Sequence, residues 1–129
     1  MTSLLEPYRL GDLDLPNRLV MAPLTRARAG LDGVPTALMA EYYAQRASAG
    51  LLVSEATNVS PMSCPFERAP GLFSAAQVDG WKAVTGRVHE AGGRIVAQLG
   101  HGGRIGARGP LGWAEPLSPS GLNDDVDSL

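Results

Sequence analysis

From Tyr8 to Leu15 apolar and polar residues alternate about a Gly11-Asp12 pair, which predicts a short β-hairpin ahead of the main fold. Arg18-Leu19-Val20-Met21-Ala22-Pro23 then reads as a mostly buried strand, ended by Pro23 because proline has no N–H for a ladder. Thr36 is the predicted cap of a helix from about Ala37 to Ser48, with Leu38, Tyr42, Gln45 and Ala49 at helical spacing and Gly50 as its stop. Leu51 to Thr57 has the short, bunched apolar character of a buried parallel strand. Ser74-Ala75-Ala76-Gln77 fits a capping box for a second helix. Val78, Trp81, Thr85 and Val88 would form its inner face, and Gly92-Gly93 would end it. Arg94 to Leu99 is the third strand, followed by the loop Gly100 to Arg104. Residues 105–129, rich in Gly, Pro and Ser, read as a loop-rich tail.

Strands that alternate with helices imply βαβ units, right-handed crossovers and a parallel α/β sheet. Such a sheet needs cover on both faces or closure into a barrel, and three strands alone leave two unpaired edges. A (β/α)8 barrel takes about 250 residues. The 129 residues are thus expected to form one partial barrel domain, a hairpin plus three strand units, completed by another chain or a missing segment.

Composition narrows the function classes. Eleven cationic and thirteen anionic side chains give a net charge of −2 with no basic stripe, which argues against a nucleic-acid partner. Cys64 is the only cysteine, so no internal disulfide can form. Met1 to Leu15 lacks the apolar core of a signal peptide, and no aliphatic run approaches a membrane span. The expected location is the cytoplasm.

In a parallel barrel the chemistry sits at the carboxyl ends of the strands. Those ends carry Pro23-Leu24-Thr25-Arg26, Glu55-Ala56-Thr57 and Gln98-Leu99-Gly100-His101. They form no Ser/His/Asp set, and His89 and His101 alone make no metal site. The groups suit a planar, amide-rich ligand. Gln98 sets a donor beside an acceptor, as a cyclic imide edge requires, and Thr25 offers a rotatable hydroxyl. Pro23 and Ala56 are flat or small enough for a ring to lie against them.

Several stretches resemble the old yellow enzyme family: Pro16 to Arg26, Met39 to Gly50, Ser54-Glu55-Ala56-Thr57, Ala69-Pro70-Gly71, Gly80-Trp81, Val88-His89, and Gln98-Leu99-x-His101-x-Gly103-Arg104. The likeness runs over nearly the whole chain in the family's order and spacing. It implies the amino-terminal part of a TIM barrel that holds FMN, takes electrons from NADPH or NADH, and reduces activated C=C bonds such as enones. It also implies that Pro23 and Thr25 lie beside the flavin, with the Thr25 hydroxyl near the carbonyl oxygen next to the hydride-carrying nitrogen. Ala56 would pack on the ring and Gln98 would bond its pyrimidine edge.

Two departures bear on the substrate pocket. Gly100 stands where this branch of the family usually has Trp, and Phe66 stands where a Tyr is often seen. The family's paired His/His or His/Asn that binds the substrate carbonyl, its proton-donating Tyr and its phosphate loops lie beyond the region present here, so no catalytic residue is assigned in this chain. The resemblance therefore implies a carboxy-terminal barrel chain as partner, with self-association as the other way to cover the edges. A non-catalytic assembly protein derived from a barrel fragment, or a different short barrel enzyme, stays open beside this reading. His101 is expected to fix its loop, His89 to lie at the surface, and Cys64 to be an ordinary thiol at a loop or pocket rim.

Overall fold

The computed structural model describes residues 3–106 and 116–119. The chain opens with an antiparallel hairpin, β1 (Tyr8–Leu10) and β2 (Leu13–Leu15), in which Tyr8 pairs with Leu15. Gly11 turns it at φ +57, a region that only glycine enters cheaply. β3 (Val20–Met21), α1 (Ala37–Ala44), β4 (Leu51–Asn58), α2 (Ala75–Glu90) and β5 (Ile95–Gly100) follow. β3, β4 and β5 form one parallel sheet in that order, and both helices pack on the same layer. The βαβαβ order read from the sequence is thus the order observed. The described residues form no closed barrel. No helix among them is long and apolar enough to cross a membrane.

Helix α2 has the predicted ends. The Gln77 N–H donates to Ser74 Oγ, and Gln77 Oε1 accepts from the Ser74 and Phe73 N–H groups. At its far end the Gly93 N–H bonds the Val88 carbonyl and the Gly92 N–H bonds that of His89, with Gly92 at φ +79. This is a Schellman closure. The buried face is Gln77, Trp81, Val84 and Val88, displaced from the predicted Val78, Trp81, Thr85 and Val88. Gln77 turns inward because its amide also donates to the Asp32 carbonyl at 3.0 Å, which leaves Val78 exposed.

Helix α1 departs further from expectation. It ends at Ala44, and the chain to Ala49 continues in tighter i→i−3 bonds, such as Ala47 N–H to the Ala44 carbonyl. Thr36 sits at the cap position, but its hydroxyl donates to the Arg28 carbonyl and does not cap the helix. Gly50 is not a left-handed helix stop. A Cβ there would lie 2.2 Å from the Asn17 carbonyl oxygen, so glycine is required by close approach. Asn17 clamps this corner, accepting from the Leu19 and Gly50 N–H groups and donating to the Ser48 carbonyl. The buried face is Met39, Ala40 and Tyr43, whereas Leu38 is exposed.

The core between helices and sheet contains Met39, Tyr43, Leu52, Trp81, Val84 and Val88, with Ile95 against it. Strand β4 is buried over most of its length, as predicted. The stretch Arg18–Pro23 is not a mostly buried strand. Only Val20 and Met21 pair, and Val20 is 52% exposed, because no strand covers its outer side among the described residues. Of the predicted tail, residues 107–115 and 120–129 lie outside the described set, and a single 3-10 turn spans Gly103–Ile105.

Tyr43 is fully buried and bonded to Glu55 in both directions: its hydroxyl donates to Oε1 and accepts the Glu55 N–H at 2.8 Å. Burial, with the adjacent carboxylate, raises its pKa well above the usual tyrosine value. The raised folded-state pKa favours the neutral phenol. Its contribution is therefore complete below about pH 10, the unfolded value, and is lost as pH rises beyond it. Tyr43→Phe is expected to lower stability by about 1–3 kcal/mol and to flatten the loss above about pH 10. Denaturant titrations across that range check both; equal alkaline slopes in the two proteins would exclude this role for Tyr43.

Candidate functional site

The strand ends are aligned by one irregularity. Val53 pairs with Val96, but the next pairing is Ala56 with Gln98, so β4 contains one residue more than β5 between them. This is a β-bulge at Ser54-Glu55. Without it, the period of two would put Ala56 on the face opposite Val53. With it, Val53 and Ala56 share one face with Val96, Gln98 and Gly100, while Leu52 and Ile95 face the helices. The bulge also turns Glu55 toward α1, where it meets Tyr43.

A bulge interrupts the ladder, and a side chain repairs it. The Gln98 N–H donates to Ser54 Oγ at 3.1 Å, and that hydroxyl donates to the Glu55 carbonyl. Thr57 Oγ1 donates to the same carbonyl. The backbone of Gln98 is thereby fixed while its side chain remains exposed. Gly100 lies beside Ala56: a Cβ built on it would be 3.6 Å from the Ala56 methyl, an ordinary contact. The two small residues leave a flat strip next to Gln98.

Pro23 and Thr25 follow β3 in extended chain, Pro23 exposed and Thr25 half-buried. The following peptides are held from both sides. The Arg26 and Ala27 N–H groups donate to Glu55 Oε2 at 3.0 and 3.2 Å, and the Arg28 guanidinium donates to the Arg26 and Ala27 carbonyls. The carboxylate of Glu55, 1% exposed, is the anchor of this loop. Its side chain is not among the site residues expected from the sequence. The available signal was an acidic residue inside an otherwise buried strand, which must be paired to be tolerated.

The loops carrying Phe66 and Gly100 are docked together. The Gly102 N–H donates to the Ser63 carbonyl at 2.9 Å, and Gly102 sits against Pro65. Phe66 is exposed at a turn where its carbonyl accepts from the Ala69 N–H and the Cys64 thiol. Burial pushes the Cys64 thiol pKa up, against the opposing effect of its hydrogen bonds, consistent with an unreactive rim position. His101 fixes its loop as expected, Nδ1 accepting the Gly103 N–H, and His89 is at the surface. No cluster of metal-ligating side chains exists among the described residues.

Pro23, Thr25, Ala56, Gln98 and Gly100 thus occupy three adjacent strand ends, with the Phe66 loop alongside. A separate concavity lies elsewhere. It measures about 230 Å³ and is lined by Asp32, Asn58, Cys64, Arg68 and Gln77 among others, and by none of the predicted site residues. That is below the roughly 300–1,000 Å³ of typical ligand sites.

The profile of the NADH:flavin oxidoreductase / NADH oxidase family matches residues 3–122. The flavin oxidoreductase hxnT of Emericella nidulans is 44% identical over 124 residues, covering 92% of this chain and 32% of that protein. Among solved structures, the old yellow enzyme homologue of Zymomonas mobilis superposes with a TM-score of 0.85 at 52% identity, covering 88% of this chain and 32% of that one. Morphinone reductase in complex with tetrahydroNAD gives 0.81 at 47% identity, covering 95% and 31%. These solved neighbours are TIM-barrel proteins, and the chain spans about a third of the length of the relatives it matches.

Ser54→Ala would leave the Gln98 N–H without its acceptor at the bulge. A stability loss of about 1–2 kcal/mol is expected, with faster exchange of the Gln98 amide than of the Leu99 amide. Amide hydrogen exchange read residue by residue checks this, and unchanged protection at Gln98 would refute the repair.

Proposed function

The chain belongs to the NADH:flavin oxidoreductase / NADH oxidase family, and on that premise we propose that it supplies the first flavin-binding strand ends of an FMN-dependent ene-reductase acting on activated C=C bonds such as enones. The observation that carries the reading is the bulge-set face on which Gln98 stands beside Ala56 and Gly100.

The residues present suit FMN. Neither the Gln98 amide nor the Thr25 hydroxyl has a hydrogen-bond partner among the described residues, so both are available to a ligand. Gln98 would hold the pyrimidine edge of the flavin and Thr25 a ring carbonyl, while Pro23 and Ala56 would face the ring. FMN, when bound, accepts two electrons from NADPH or NADH and delivers them to an electron-poor alkene. Donors fixed in advance at the strand ends would stabilise the negative charge of the reduced cofactor, which is how this chain would tune it. Gly100 and Phe66 would give the alkene a roomier, less polar pocket than an indole and a phenol would.

The remaining barrel units, with the substrate-binding His pair and the phosphate site, would come from further polypeptide, a carboxy-terminal barrel chain in particular. Val20 and Val96 support this, being 52% and 41% exposed on a sheet whose outer edges are unpaired among the described residues. An apolar sheet with open edges favours association. Self-association could cover those edges but could not supply the substrate-binding groups.

Flavin absorbance in purified protein, with and without the carboxy-terminal chain, tests the reading; a folded assembly that takes up no FMN would overturn it. Gln98→Ala is expected to weaken FMN retention by about 1–3 kcal/mol, the usual cost of a lost buried hydrogen-bond partner. Equal FMN dissociation constants for the two proteins would remove Gln98 from the site. Gly100→Trp is expected to suppress turnover of bulky cyclic enones while sparing small ones, measured as kcat/KM across a size series. Equal losses for all sizes would argue against a steric role.

A further inference from the structure

We propose that Glu55 is a positioning residue for Thr25, holding the threonine at the flavin face by clamping the peptides that follow it. The inference rests on the flavin reading above and adds to it a residue that touches no cofactor. The Arg26 N–H belongs to the same planar unit as the Thr25 carbonyl. Its bond to Glu55 Oε2 at 3.0 Å therefore fixes ψ of Thr25, and with it the direction in which the side chain leaves the backbone. The Ala27 N–H reaches the same oxygen at 3.2 Å.

Ala27 has φ +50, a left-handed conformation that is unfavourable for a residue with a Cβ. Such a conformation persists where its surroundings over-determine it. Here the N–H groups of residues 26 and 27 are held by Glu55, and their carbonyls by the Arg28 guanidinium at 2.9 and 3.1 Å. Glu55 is itself immobilised. Its carboxylate accepts from Tyr43, its own N–H donates to the same hydroxyl, and the bulge turns it away from the site face. The chain of constraint runs from the core through Tyr43 and Glu55 to the Thr25–Arg26 peptide. Arg26 continues outward over the Tyr42 ring, 5.7 Å from its centroid.

A double-mutant cycle on the flavin-loaded assembly tests this, read as the midpoint potential of bound FMN and its dissociation constant. Glu55→Met should change the relative affinity for reduced and oxidised flavin by about tenfold, or about 30 mV for a two-electron couple. Glu55→Gln keeps an acceptor for both N–H groups and should restore most of that change. In a Thr25→Val background the Glu55→Met effect should vanish, because the hydroxyl it positions is gone. A purely structural role would lower stability alike in both backgrounds and leave the potential in place.

An unchanged potential in folded, flavin-loaded Glu55→Met overturns the proposal, as does an effect of equal size in the Thr25→Val background. If Glu55→Met does not fold, Glu55→Asp keeps the charge and withdraws the carboxylate by one methylene, and its potential must shift in the same Thr25-dependent way. A wild-type assembly that binds no FMN sinks both this inference and the flavin reading. One that binds FMN and fails the cycle sinks this inference alone.

Discussion

A carboxylate placed inside a protein must be surrounded by donors, and in this chain that requirement falls on Glu55. Its solution joins three elements that are distant in sequence: Tyr43 on α1, the bulge in β4, and the extended segment after β3. Among the described residues no cationic side chain pairs with it. Two backbone N–H groups and one phenol serve instead, so its environment is built from groups whose positions the backbone itself dictates. An unpaired buried charge would cost several kcal/mol, and the arrangement is correspondingly intolerant of displacement in any of the three. The segment after β3, which has almost no ladder of its own, takes its shape from this interaction.

The same bulge that turns Glu55 inward turns Ala56 outward, and the two consequences belong together. In a regular β4, with Val53 on the outer face, both would be misplaced, Glu55 on that face and Ala56 toward the helices. One inserted residue satisfies the core and the strand-end surface at once, with Ser54 taking over the hydrogen bond that the irregularity removes from Gln98. Bulges are found beside functional sites because they re-aim side chains in this way. What results is a face on which the Gln98 N–H is held by Ser54, while two polar side chains, Thr25 and Gln98, have no hydrogen-bond partner among the described residues. Rigid support beneath unsatisfied groups is the condition for binding a ligand without reorganising the protein.

Much of this was legible in the sequence. The alternation around Gly11-Asp12, the Ser74/Gln77 box and the Gly92-Gly93 stop each depend on a few neighbouring residues, and each was found where the pattern placed it. The order of elements and the parallel pairing of the strands followed from the alternation of element types. The motifs from Pro16 to Arg26 and from Gln98 to Arg104 pointed to the family whose profile matches residues 3–122. What the pattern misjudged was which face of a helix turns inward. Helix α1 is apolar nearly all round, so periodicity could not choose between Leu38 and Met39. Packing against Leu52 and Trp81 made the choice.

The sequence by itself determined the elements, their order and the family, because caps, turns and apolar runs act over distances of a few residues. Only the tertiary structure decided the register of β4 against β5, the bulge that moves Ala56 to the face of Gln98, and the anchoring of the Thr25 loop on Glu55. Thr36 shows the same division in miniature: its position before α1 was readable, but a carbonyl eight residues earlier claimed its hydroxyl. These are contests between partners far apart in the chain. They are settled by which buried polar group finds a donor or acceptor, and a local pattern contains no record of that outcome.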